Sequence, residues 1–439
     1  MIGSSFAMRQ IYRQKREMAK FDASTARVLG ASLTGTAVEF YDFYIYATAA
    51  SLVFGTAFFP PSDPGVGLLL SYATLAVAFV ARPVGAIAFG HFGDRIGRKS
   101  TLVASLLIMG LSTLFIAFLP TYADIGWIAP ALLCLLRFGQ GFGLGGEWSG
   151  AALLAVENAP PGWRGRFGCV PQLGAPVGFI AANGLFLVLG LALSPEDFRA
   201  WGWRVPFVLS IVLVAVGLWV RLKLHETPAF AAALKEAPPP KVPLAEVFST
   251  HGGAVLAGTL GAVACFAVFY VTTAFALGYG TTTLGYARAG FLQLQLGAIL
   301  FMAVGIIAAG WLSDVWSPAR VLMIGCAGVP VVAALMPVML VSGAPGAVFV
   351  WLSLALVVMG FVYGPLGAWL PSLFAPRVAY TGTAIAFNVG GVIGGGLTPL
   401  IAAWLAGQGG LAMVGMYLAG AGVLSFGALV AVRSGGRQS

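Results

Sequence analysis

Charge is scarce in this chain: 9% of its 439 residues are charged, against 59% that are hydrophobic. Soluble globular proteins carry roughly 25%, so there is too little polar surface here to cover a water-exposed core. Cysteine is scarce as well. Cys134, Cys169, Cys265 and Cys326 are far apart, sit in apolar runs and form no C-x-x-C, which points to free buried thiols and argues against a disulfide framework or a metal site. H-E-x-x-H, G-x-S-x-G and paired His/Cys clusters are missing, so a membrane enzyme is disfavoured and no cofactor is expected. The first 27 residues lack an apolar core and a cleavage pattern. They read as a basic tail, solvated or lying on the membrane surface, and not as a secretory signal.

What is present is apolar length. A helix needs about 20 apolar residues to cross a bilayer. Turn signals and charges cut the chain into twelve such runs, near 29–58, 67–90, 101–119, 127–157, 167–193, 204–223, 251–278, 290–312, 320–341, 347–370, 381–405 and 411–432. The 60 glycines suit close helix packing in lipid. With twelve spans, 19 of the 24 Lys and Arg residues fall on one side, and only Arg199, Arg204 and Arg288 on the other. The positive-inside rule makes the first side cytoplasmic, with both termini there. The net charge of +9 is thereby explained without a nucleic-acid partner.

The expected organisation is a basic tail (1–27), a six-helix bundle (28–223), a cytoplasmic linker (224–250), a second six-helix bundle (251–432) and a short tail (433–439). Pro238, Pro239 and Pro240 mark the linker. An internal repeat supports the two halves. GHFGDRIGRKS at 90–100 follows span 2 and GWLSDVWSPAR at 310–320 follows span 8, each keeping Gly, then Asp four residues later, then a basic end. Two such halves are a layout of large secondary transporters, and one chain then supplies a whole pathway as a monomer.

GDRIGRK, placed between spans 2 and 3, resembles the signature loop of the major facilitator superfamily. ARPVGAIAFGHFGDRIGRK, RFGQGFGLGGEWSGAALLAVENAP, WGWRVPF and HETPAF resemble the metabolite:proton symporter family, and YGPLGAWLPSLF and YTGTAIAFNVGG extend the likeness into the second half. The resemblance implies an all-α fold of two pseudo-symmetric bundles in the prokaryotic inner membrane. It also implies proton-driven uptake of organic acids such as shikimate, oxoglutarate and citrate, or of zwitterions such as proline and betaine. Two features depart from it. The second loop lacks an arginine-rich end, with Ala379 where a second arginine is common. The region after span 12 is short and has no heptads, which weakens the osmosensor-like branch.

A charge at a helix centre costs about 2.5–3.5 kcal/mol on insertion scales and marks a functional candidate. Gly35, Glu39, Asp42 and Tyr46 recur at i, i+4, i+7 and i+11, one stripe of span 1. Arg137, Gln140 and Glu147 nearly share a face of span 4. Spans 1 and 4 line the central cavity in the superfamily, so Asp42 is expected to pair with Arg137. Protonating Asp42 then frees Arg137 for a substrate anion, and the anion favours the proton, which is symport. A static ion pair is the alternative. Glu39 shares the proton or faces Arg82. Arg82 binds substrate or ties carbonyls freed by the adjacent proline. Glu147 is a proton relay or a helix contact.

Asp94, Arg95, Arg98, Glu157, Arg164, Arg166 and Asp314 end spans on one side of the membrane and read as a cytoplasmic gate, against simple solvated charges. Among polar residues in apolar spans, Tyr41, Gln172 and Asn388 are the substrate candidates; Asn183, Tyr270, Gln293 and Trp369 read as packing. Gly139 with Gly143, and Gly141 with Gly145, are spaced for close backbone approach and do not form a nucleotide loop. A proton-coupled importer of a small organic acid, driven by the gradient alone, is the leading reading. A zwitterion symporter is second, and a transporter-like solute sensor third.

Overall fold

The computed structural model describes residues 23–60, 64–96, 98–222 and 243–435. Helix dominates because a chain in lipid must satisfy every backbone N–H and C=O internally; among the described residues there is no strand. Nine of the described helices are long and apolar enough to cross a membrane. One of them, Ala379–Val432, is 54 residues long, about twice what a bilayer needs. It breaks at Gly409 and Gly410, the latter at a φ of 71° that glycine adopts freely. Ser100–Ile116 is a shorter apolar helix. Ala23–Ala49 carries no charge except Arg27, Glu39 and Asp42.

These divide into twelve segments. The first half comprises α1 (Ala23–Ala49, prolonged by the π-turn Ala50–Phe54), α2 (Pro64–Ile96), α3 (Arg98–Ile116), α4 (Ile128–Glu157), α5 (Arg164–Ala192) and α6 (Val205–Leu222). The second comprises α7 (Pro243–Tyr270, prolonged by the π-turn Val271–Phe275), α8 (Arg288–Val315), α9 (Pro318–Leu340), α10 (Pro345–Trp369), α11 (379–408) and α12 (411–432). One boundary of the sequence reading moves. The last eight residues of the expected linker, 243–250, are helical and belong to α7, which kinks at His251. Pro243 opens the helix, as proline suits a first turn, and Val247 is buried beneath it. Residues 1–22, 223–242 and 436–439, which hold the remaining tail and linker, lie outside the described residues.

The halves repeat one packing scheme. In the first, α1 packs on α5 and α2 on α4; in the second, α7 packs on α11 and α8 on α10. Where they meet, α2 lies against α11 and α5 against α8, the two-fold counterpart. The glycines of α4 make the first half tight. A Cβ on Gly141 would meet the backbone of Ala78 in α2, and one on Gly145 the backbone of Arg82 and Ala86. A Cβ on Gly143 would lie 2.8 Å from the Ser105 carbonyl of α3, and one on Gly139 2.6 Å from the Ser112 hydroxyl. The two glycine stripes therefore seat α4 between α2 and α3, and this presses Arg137 and Gln140 toward α1.

Candidate functional site

Glu39 and Asp42 are both buried on α1, but they have separate partners. Asp42 Oδ2 accepts a hydrogen bond from the Thr113 hydroxyl of α3 at 3.1 Å. Gln140 of α4 donates from Nε2 to Thr113 Oγ1 at 2.9 Å and to the Asp42 carbonyl at 3.2 Å. Its Oε1 accepts from an Arg137 guanidinium nitrogen. The direct Asp42–Arg137 pair expected from the sequence is therefore corrected to a relay, Arg137–Gln140–Thr113–Asp42. The reason is geometric. The Arg137 guanidinium lies 3.8 Å from the Tyr46 ring centroid and 4.5 Å from that of Phe43, so it is drawn one helical turn along α1 from Asp42. The Gln140 amide, donor at one end and acceptor at the other, bridges the gap.

This site is under-satisfied. Arg137 is 0% exposed and its Nε and second terminal nitrogen have no hydrogen-bond partner; Asp42 Oδ1 has none either. Stacking a guanidinium on aromatic faces contributes on the order of 0.5–2 kcal/mol, which offsets only part of the cost of burying it. Arg82 is better matched: its guanidinium meets Glu39 Oε1 at 3.3 Å. That pairing is the one the sequence offered for Glu39, and it takes the place of the backbone-carbonyl tie considered for Arg82. Phe43 links the two cations, 5.1 Å from Arg82 and 4.5 Å from Arg137.

Glu147 stands just past a pause in α4. The helix of α4 breaks after Leu144 and restarts at Glu147, across Gly145 and Gly146. Glu147 is buried there. It opens a new helical segment, where a carboxylate suits the N-terminal dipole. The adjacent Trp148 donates to Gln172 Oε1 at 3.0 Å and to the Tyr363 hydroxyl at 3.2 Å, and stacks on Phe387 with centroids 3.6 Å apart. Gln172 Nε2 is buried without a partner, so this candidate keeps a spare donor near the midline. Asn388 instead spends its amide on the Gly145 and Ala384 carbonyls, at 2.7 and 2.8 Å, tying α11 to the break in α4. The Tyr41 hydroxyl donates to the Pro206 carbonyl of α6 at 2.9 Å. It is a packing contact within the first half, not a group facing the centre.

Of the gate set, Asp314 carries the clearest geometry. It ends α8 and accepts from the backbone N–H of Gly165 at 2.6 Å and of Arg166 at 3.2 Å, while pairing with the Arg166 guanidinium at 3.1 Å. It thereby caps α5 across the interface between halves. Glu157 is half-buried and Arg164 exposed on the same side; the side chains of Asp94, Arg95 and Arg98 lie outside the described residues. Glu246 and Arg377 add an ion pair that the sequence reading did not include. At the opposite end Tyr72 of α2 donates across the interface to the Ala274 carbonyl at 2.8 Å, and within the second half Gln295 donates to the Thr272 and Thr273 carbonyls at 3.0 Å each. These carbonyls belong to the π-turn of α7, whose register slip frees them. Contacts between the halves therefore hold both ends, and Arg137 lies sealed between.

Two six-helix bundles closing around a buried, incompletely satisfied charge relay define a polytopic membrane transporter, not an enzyme. Residues 28–238 match the sugar (and other) transporter family. The inner membrane metabolite transport protein YhjE of Escherichia coli is 48% identical over 422 residues, covering 95% of this chain and 96% of that protein. The shikimate transporter of Escherichia coli is 37% identical over 384 residues, covering 85% and 86%. The fold matches the xylose transporter XylE from E. coli with a TM-score of 0.72 at 14% identity, over 93% of this chain and 97% of that one. The chain belongs to the major facilitator superfamily and, within it, to the metabolite:proton symporter family.

Proposed function

We propose that the protein couples inward proton movement to uptake of a small organic acid anion by alternating access, in a bacterial inner membrane with both termini cytoplasmic. The carrying observation is Arg137: a fully buried guanidinium with two unpartnered nitrogens and no carboxylate in ion-pair contact among the described residues. Such a group is a ready site for a carboxylate, which guanidinium binds through two parallel N–H donors. Asp42 is the proton site and the relay is the coupler. Protonated Asp42 no longer needs the Thr113 donor, so Gln140 relaxes its hold on Arg137 and the anion binds. By reciprocity the bound anion favours the proton. Glu39 and Arg82 neutralise each other and keep Phe43 against both cations. Asp314 and Arg166 form the cytoplasmic gate, which parts as the cavity opens inward. The working unit is a monomer.

A zwitterion such as betaine is the second reading. Tyr44 and Phe269 stack at 5.2 Å beside Phe40 and Phe179, and aromatic faces of this kind attract quaternary ammonium. Purified protein in liposomes with an imposed inward proton gradient separates the cases. Accumulation of labelled organic acids that an uncoupler collapses is the expected result, with betaine competing weakly. Equal equilibration with and without the gradient removes proton coupling; accumulation of betaine alone selects the zwitterion. Arg137→Gln is expected to abolish saturable uptake of the acid.

A further inference from the structure

The end opposite Asp314 carries three basic residues, Arg199, Arg204 and Arg288. Arg204 is committed: it donates to the Ala117, Ala200 and Leu119 carbonyls at 2.8–3.0 Å. Arg199 and Arg288 are not. Both line one crevice of about 320 Å3 between α5, the short helix Pro195–Ala200 and the start of α8. Arg199 comes from the first half and Arg288 from the second. Neither forms an ion pair among the described residues. The nearby acids do not supply one: Asp197 is bonded to Ser194 at 2.8 Å, and neither it nor Glu196 lines the crevice. Arg288 is steadied by the Phe198 ring, 4.9 Å from its guanidinium carbon. It also opens α8, with no side chain capping the first-turn N–H groups, a position that favours an anion.

The rest of the crevice is apolar. Phe186, Leu187, Leu193 and Leu292 line it, and Val188 and Leu191 beside it on α5 are 60% and 64% exposed, as lipid-facing residues are. Two unpaired guanidiniums above a greasy wall match an anionic head on an acyl chain, not a free anion, which would leave the wall unused. We infer that this crevice binds one anionic glycerophospholipid, its phosphodiester between Arg199 and Arg288 and a chain along Leu187 and Leu292. Because the two arginines belong to different halves, the bound lipid staples this end shut and favours the state in which the Asp314 end opens.

Native mass spectrometry of the purified full chain tests the site, with phosphatidylglycerol titrated against phosphatidylcholine of the same chains. The wild type is expected to retain one phosphatidylglycerol with at least about fivefold preference, a difference of about 1 kcal/mol. R199Q/R288Q is expected to lose the preference, while R199K/R288K keeps part of it and R320Q, an exposed arginine at the other end, keeps all. Monodispersity on size exclusion separates lost binding from lost fold, and the lysine pair decides should the glutamine pair misfold. Equal retention of both lipids by the wild type, or undiminished preference in R199Q/R288Q, overturns the inference. Displacement of the lipid by equimolar glycerol 3-phosphate overturns it too, as that marks a site for a free anion.

Discussion

At the scale of single residues, the coupling proposed above makes Gln140 the hinge between proton and substrate. Hydrogen bonds to charged groups contribute about 1.5–3 kcal/mol, so cutting one changes the coupling by roughly tenfold or more. Gln140→Leu keeps the volume and removes both ends of the bridge. Gradient-driven accumulation is expected to fall at least about tenfold, while counterflow of substrate across liposomes with no gradient survives. Asp42→Asn is expected to show the same split. Accumulation unchanged in either variant removes that residue from coupling. The two acids of VEFYDFYIY and the arginine of span 4 were legible as a buried cluster, because charge inside apolar runs has few explanations. Their partners were not. Thr113 is one hydroxyl among many in α3, and nothing in its spacing announces that it meets Asp42. The displacement of Arg137 toward Tyr46 depends on three helices at once, which no single periodicity records.

At the scale of elements, the helices were legible because span length is dictated by the bilayer, and their interruptions were not. The break at Gly145 and Gly146 lies inside a continuous apolar run, and packing supports it: Asn388 donates to the Gly145 carbonyl at 2.7 Å, and Tyr380 donates to the Gly146 carbonyl at 2.6 Å beside a longer Gly150 N–H bond of 3.4 Å. The glycine spacing in α4 did forecast close approach, and that forecast can be measured. Gly141→Val forces a side chain into the Ala78 backbone. Overpacking typically costs 1–3 kcal/mol and more where backbone must move, so the detergent-solubilised protein is expected to melt several degrees lower or to aggregate. Gly184→Ala in α5, where no atom lies within 4 Å of the added carbon, is the control and is expected to leave the melting temperature unchanged. Equal melting of both variants removes the role assigned to the glycines.

At the scale of the molecule, the second of the two repeated loops bears on the proposed opening through Asp314. Asp314 reaches from the second half to cap α5 of the first, making two backbone hydrogen bonds and one ion pair. An interface held at both ends is a balance, and removing one end's contacts moves the population by their free energy. Asp314→Ala forfeits all three contacts, and a loss of about 1.5–3 kcal/mol shifts the ratio of closed to open by roughly tenfold to a hundredfold. The chain carries its own reporter. Cys169 lies one turn beyond Arg166, buried, with its sulfur 2.5 Å from where a Cβ on Gly310 would stand. It is sealed only while α5 and α8 touch. Labelling by a small water-soluble maleimide, in a background with the half-exposed Cys134 replaced by serine, is therefore expected to be slow in the parent and at least about tenfold faster in Asp314→Ala. Tyr72→Phe, which releases the Ala274 carbonyl at the opposite end, is expected to slow it further by favouring closure around Cys169. The same labelling rate in all three proteins means that these contacts do not set the balance between the two ends.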